Sequence, residues 1–229
     1  MNPRLVLFDI DGTLVLTGGA GMRALNRACE DLIGLPDALD GIPLAGRTDW
    51  IILEDTVSRI GRRLDAELFA ALRARYLGYL EQEIERPGRG VKGVMPGVRE
   101  LLDRLHARDD VLLGLLTGNF EAGARIKLGH FDLWKYFRCG AFGDDAADRN
   151  ALVPFALSRA RHCGLVSATG RDVLVVGDTP HDVACALAAG ATPVAVATGS
   201  YSVEDLRASG AEVVLRDLRE AEALEALLP

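Results

Sequence analysis

The chain has 229 residues, 49% of them apolar, which suits one large domain or a core with a smaller insertion and excludes a disordered chain. Its formal net charge of −7 disfavours nucleic acid as a partner, because binding a phosphate backbone requires a basic surface, and no apolar run approaches the about 20 residues that cross a membrane. Cys29, Cys139, Cys163 and Cys185 show no metal-binding spacing and read as buried thiols in a reducing compartment; with no signal-peptide pattern in the first residues, the expected location is cytoplasmic.

The first apolar run, Leu5-Val6-Leu7-Phe8, reads as a buried strand that ends directly on Asp9. From about residue 17 to about 92 the pattern is helical instead. Met22, Leu25, Cys29, Leu32 and Ile33 form one stripe, Thr48 is placed to cap a helix beginning at Asp49, and Leu64, Leu68, Leu72, Tyr76, Tyr79, Leu80 and Ile84 form a longer stripe. Glycine-rich joints flank this segment, Gly18-Gly19-Ala20-Gly21 before it and Pro87-Gly88-Arg89-Gly90 with Gly93 after it. The predicted organisation is an all-helical domain over 17–92, inserted on two hinges into a core made of 1–16 and 93–229.

Beyond the insertion, Val98, Leu101, Leu102 and Leu105 make a helical stripe behind Pro96, and Val111 to Leu116 is a second strand. A helix over Ala151 to Cys163 leads to the strand Val173 to Val176. Thr179 and Pro180 then open a helix that Gly190 stops. Pro193 to Ala197 and Val213 to Leu215 are further strands, with Ser202 capping the helix between them. Strands alternating with helices predict an α/β fold, a doubly wound parallel sheet with crossover helices.

Three polar clusters each follow such a strand directly: Asp9 with Asp11, Thr117-Gly118-Asn119, and Gly177-Asp178-Thr179. In an open parallel sheet the ligand crevice lies beyond the carboxyl ends of the strands, so the fold brings these clusters to one edge. Crowding Asp9, Asp11 and Asp178 there is costly, since two charges about 4 Å apart at a dielectric near 20 repel by roughly 4 kcal/mol. The carboxylates would hold protons or bind a cation, and oxygen-only ligands on short turns favour Mg²⁺. Thr117 adds a hydroxyl, and the turn at Gly118 leaves backbone N–H groups for an anionic oxygen.

This arrangement resembles the haloacid dehalogenase (HAD) superfamily of phosphatases over nearly the whole chain. The first motif, Asp-x-Asp-Gly-Thr, stands here as Asp9 to Thr13; the second, an apolar strand ending in Thr or Ser, as Leu115 to Asn119; the fourth, Gly-Asp-x-x-x-Asp, as Gly177 to Asp182. The insertion is similar to the small helical cap of phosphoglycolate phosphatases and β-phosphoglucomutases. The resemblance implies a Rossmann-like core and a two-step displacement in which Asp9 is the nucleophile and Asp11 the acid and base. It implies Mg²⁺ on the Asp9 carboxylate, the Asp11 carbonyl and Asp178, with Asp182 in support. Thr117, Gly118, Asn119 and a third-motif cation would bind phosphate. Arg149 lies where the resemblance places that cation; Lys127, shortly after Thr117-Gly118-Asn119, is its competitor.

The implied substrate is a small phosphorylated metabolite, and Arg47, in the loop that opens a cap helix, is the candidate for contacting its non-phosphate part. Alternatives narrow by residue type. Asp11 argues against a dehalogenase, and the lack of any lysine before Lys92 argues against a phosphonatase. A phosphomutase shares Asp9, Asp11 and the helical cap, with Thr13 leaning toward hydrolysis, whereas a non-catalytic phosphometabolite-binding protein would be expected to have lost one of the carboxylates.

Overall fold

The structure, a computed structural model, describes residues 3–88, 90–165, 168, 170–219 and 221–228. It opens with β1 (Arg4–Phe8), whose Val6 and Phe8 enter one apolar cluster and whose Leu5 and Leu7 enter another. Burial on both faces is what a central parallel strand requires, and it accounts for the uninterrupted apolar run. A turn through Gly12, at φ 87°, leads into β2 (Val15–Thr17). Three helices follow: α1 (Ala20–Ile33), α2 (Asp49–Ser58) and α3 (Ala66–Glu83). Then β3 (Lys92–Val94) returns antiparallel to β2.

The remainder alternates: α4 (Val98–His106), β4 (Val111–Leu116), α5 (Glu121–His130), β5 (Cys139–Ala141), α6 (Leu152–His162), β6 (Val173–Gly177), α7 (Pro180–Ala188), β7 (Thr192–Val196), α8 (Val203–Ala208), β8 (Val213–Leu215) and α9 (Ala221–Leu227). Six of the strands form one parallel sheet in the order β5-β4-β1-β6-β7-β8. The apolar stripes of α4, α5 and α9 cover one face, and those of α6 and α7 cover the other. The doubly wound α/β reading is therefore correct. Phe8 sits in register with Leu115 of β4 and Val176 of β6, so Asp9, Thr117 and Asp178 leave the sheet at one edge.

The three helices between β2 and β3 bury an apolar cluster of their own, with Leu72, Tyr76 and Leu80 of α3 against Ala24, Leu25 and Ala28 of α1, and Leu53 and Val57 of α2. Phe120 of the core enters this cluster, so the insertion is seated on the sheet edge. The Glu83 carboxylate, 1% exposed, receives Arg23, Arg27 and Arg86 at 2.7–2.8 Å, tying α1 to the end of α3.

Several local expectations change. The joints read as glycine hinges carry the β2–β3 ribbon: Gly18 donates to the Val91 carbonyl and Gly93 lies within β3; residue 89 of the second joint lies outside the described residues. Met22 of the first stripe is half exposed. A three-residue strand, β5, was not anticipated, and α6 starts one residue later than expected, behind a single 3₁₀ turn at Arg149–Ala151. Cys29 and Cys185 are buried as expected, whereas Cys139 and Cys163 are only partly so. Among the described residues no helix is long and apolar enough to cross a membrane.

Candidate active site

Asp9 directly follows β1, its N–H donating to the Val176 carbonyl of the neighbouring strand, and the residue is 4% exposed. Arg149, on the turn before α6, places Nη2 3.0 Å from Asp9 Oδ1. The same nitrogen pairs with Asp182 Oδ1 and donates to the Leu116 carbonyl. Asp182 is fixed in turn by the capping box of α7, in which its Oδ2 accepts from both the N–H and the hydroxyl of Thr179. Asp182 therefore holds the Arg149 guanidinium in place.

Asp178 follows β6 and is held by the Thr13 hydroxyl, which donates to Oδ1 at 2.9 Å. A Cβ on Gly12 would stand 2.5 Å from Asp178 Oδ2, so the turn after Asp11 admits only glycine while that carboxylate is in place. Asp9, Asp178 and Asp182 each offer an oxygen within 4.8 Å of the others. Burial, together with the charges of Asp182 and Asp11, pushes the Asp9 carboxyl up to about 6 although Arg149 opposes it. Asp178 is pushed up to about 8, by burial first and then by Asp9 and Asp182, against the Thr13 hydrogen bond and Arg149. Crowded, oxygen-only carboxylates that resist ionising together are a fitting donor set for a hard divalent cation.

Several of the other expected residues gather around Asp11. Asp11 is partly exposed, and its Oδ2 accepts from Lys127 Nζ at 2.6 Å and from Asn119 Nδ2 at 2.9 Å. Asn119 also donates to Thr117 Oγ1 at 2.8 Å and accepts from Lys127 at 2.6 Å. The two rival cations thus occupy two places: Arg149 against Asp9 and Asp182, Lys127 against Asp11 and Asn119. Thr117 is fully buried, and the Gly118 N–H has no acceptor among the described residues. Arg47 lines the same cavity, but its guanidinium is bonded to Asp55 at 2.6 Å and to the Pro43 carbonyl at 3.1 Å.

These groups converge on a cavity of about 500 Å³ between the sheet edge and the helical insertion. Its far wall is largely apolar, with Leu16, Met22, Leu25, Leu44 and Val91. Sequence reasoning had not given Thr13 its hold on Asp178, nor noticed that Asp49 and Tyr76 reach this wall. Thr13 stood inside the first motif and Asp49 in the loop of Arg47 that opens a cap helix, so both positions were usable signals; Tyr76 read only as part of its apolar stripe.

A family profile described as haloacid dehalogenase-like hydrolase matches residues 3–190. A phosphoglycolate phosphatase of Rhodospirillum rubrum is 32% identical over 218 residues, covering 94% of this chain and 88% of that protein. One from Caulobacter vibrioides is 32% identical over 223 residues, covering 94% and 87%. Among solved structures, a hydrolase from Pseudomonas syringae superposes with a TM-score of 0.70 over 99% of both chains at 22% identity, a likeness of fold.

Proposed function

The chain belongs to the haloacid dehalogenase-like hydrolases and is a phosphatase of that family, and from this premise we propose that it uses Mg²⁺ to hydrolyse the phosphomonoester of a small metabolite through an aspartyl-phosphate on Asp9. The observation that carries this reading is the placing of Asp9: a buried carboxylate beside a guanidinium, within 4.8 Å of two further carboxylates, lining the cavity between sheet edge and insertion. Asp9, Asp178 and the Asp11 carbonyl would hold the metal, which neutralises charge on the transferring phosphoryl group. Asp182 supports them by holding Arg149.

In the first step an Asp9 carboxylate oxygen attacks phosphorus and the ester P–O bond breaks. Asp11, at the open side of the site, gives its proton to the leaving alkoxide. In the second step water attacks the phosphoryl group, Asp11 takes the water's proton, and the Asp9–phosphorus bond breaks to release inorganic phosphate. The Thr117 hydroxyl, the Gly118 N–H and Arg149 hold the equatorial oxygens as charge develops. Two features support Arg149 in this role: its guanidinium is held above the ordinary arginine range by Asp182 and Asp9 in spite of burial, and its buried Nε has no acceptor among the described residues. Lys127 and Asn119 hold Asp11 in place.

We assign 17–92 as a cap that excludes bulk water from the cavity, and Arg47 on its loop as a contact for the alcohol part of the substrate. The test is phosphate release from p-nitrophenyl phosphate and a panel of metabolite phosphates, with Mg²⁺ and with chelator. The proposal expects Mg²⁺-dependent release without accumulation of isomerised sugar phosphates, and its loss in Asp9→Asn. Turnover in that variant at the parent rate would overturn it.

A further inference from the structure

The wall of the cavity formed by the insertion carries two polar side chains with hydrogen-bonding capacity to spare. Asp49 opens α2 and is docked on the core at two points: its N–H donates to the Gly118 carbonyl at 2.8 Å, and its Oδ2 accepts from the Phe120 N–H at 2.9 Å. Its Oδ1 has no partner among the described residues, and the side chain lines the cavity. Tyr76 of α3 lines it too. The Tyr76 ring packs edge-on against Phe120 with centroids 6.3 Å apart, while its hydroxyl has no partner among the described residues. A Cβ on Gly21 would stand 3.8 Å from that hydroxyl and 3.5 Å from Lys127 Nζ, so the bare glycine keeps open the space that both face.

Each cation on this side already has an anionic partner that offsets its charge, while keeping N–H donors to spare. Lys127 Nζ is shared between Asp11 and Asn119, and the Arg47 guanidinium between Asp55 and Pro43. Burial pushes the Asp49 carboxyl up to about 6, with Lys127 opposing, which leaves it ionised at neutral pH. Burial and the Asp49 charge raise the Tyr76 hydroxyl, which stays protonated. Among the described residues the wall therefore offers a carboxylate acceptor and a hydroxyl, beside cations whose charges Asp11 and Asp55 already offset. A hydroxyl on the substrate can donate to Asp49 and exchange a hydrogen bond with Tyr76. A substrate carboxylate has no proton to give and is repelled by Asp49.

Resting on the phosphatase reading, we infer that Asp49 and Tyr76 are specificity residues for hydroxyl groups of the leaving alcohol, so that the preferred substrates are phosphomonoesters of polyhydroxy compounds rather than of hydroxy acids.

The experiment measures kcat/KM of the full chain with Mg²⁺ for ribose 5-phosphate, for phosphoglycolate as the carboxylate probe, and for p-nitrophenyl phosphate. It does so in the parent, Asp49→Asn and Tyr76→Phe. Asparagine keeps an acceptor for the Phe120 N–H and removes only the charge, and a ratio between substrates is unaffected by the fraction of a variant that folds. The parent should favour ribose 5-phosphate over phosphoglycolate by about tenfold or more, and each variant should lower that ratio by about tenfold, the scale on which an unpaired polar group discriminates. A parent that prefers phosphoglycolate, or a ratio unmoved in both variants, would overturn the inference. A parent that hydrolyses none of the three, the aryl ester included, would remove the phosphatase reading itself and this inference with it.

Discussion

At the scale of single residues, the site is a set of carboxylates held in place by neutral or cationic neighbours. Thr13 donates to Asp178 Oδ1, and removing that hydroxyl leaves a buried carboxylate one hydrogen bond short. Thr13→Val should weaken Mg²⁺ binding by about tenfold or more, as loss of an outer-shell partner does, measured as the Mg²⁺ concentration that half-saturates turnover. The acid–base behaviour gives a second prediction. Asp9 and Asp178 move from an ordinary value of 3.8 to about 6 and about 8 in the metal-free protein. A raised carboxyl binds its proton more tightly folded than unfolded, so its contribution to stability is full at acid pH and is lost as pH rises through the folded value. Tm of the chelator-treated protein should fall from about pH 5 to about pH 8.5, and the rise in Tm on adding Mg²⁺ should grow over the same range. A metal-induced rise that shrinks toward alkaline pH would contradict this. Asp9, Thr117 and Asp178 were legible in the sequence because each stands at or just beyond the end of an apolar strand. The roles of Asp49 and the Tyr76 hydroxyl were not, because Phe120 and Lys127, which place them at the site, lie far along the chain. The Tyr76 ring does pack as its helical stripe suggested, and only its hydroxyl has other work.

At the scale of elements, the loop that opens α2 is the joint between insertion and chemistry. Besides the two Asp49 contacts, the Thr48 hydroxyl donates to the Ala147 carbonyl at 2.7 Å. A Cβ on Gly118 would stand 2.0 Å from the Arg47 carbonyl oxygen, so this contact exists only because residue 118 is glycine. Gly118→Ala should push the 47–49 loop off the phosphate-binding turn and lower kcat/KM by about a hundredfold, the cost of an ångström-scale misplacement at a reacting centre. Circular dichroism should show the fold retained. Strands β1, β4, β6 and β7, five or six residues each, were readable from their apolar runs. Of the three-residue strands, β8 was readable from its unbroken Val213-Val214-Leu215 run, whereas β3 and β5 are interrupted by Gly93 and Gly140 and β2 becomes a strand by pairing with β3.

At the scale of the molecule, the insertion and the sheet act as two walls of one cavity, and the ion cluster on Glu83 stiffens the wall that has no sheet. Burial acts against the Glu83 charge, yet Arg23, Arg27 and Arg86 hold the carboxyl below its ordinary range. Arg23 also donates to the Gly18 carbonyl, which ties the cluster to the joint. Glu83→Gln should destabilise the protein by roughly 1–3 kcal/mol, short of a fully buried pair because the guanidinium groups keep part of their hydration. Thermal unfolding would read this directly. The helical character of the insertion was plain from its stripes, whereas its docking was hidden, since Phe120 reads as an isolated aromatic until α3 is laid against it. The proposed chemistry turns on Asp9. Rapid mixing of the enzyme with a turned-over phosphomonoester and Mg²⁺, acid quenching, and peptide mass spectrometry should find one phosphoryl group on the peptide containing Asp9, absent in Asp9→Asn. Steady turnover with the phosphoryl group found on another residue would contradict it.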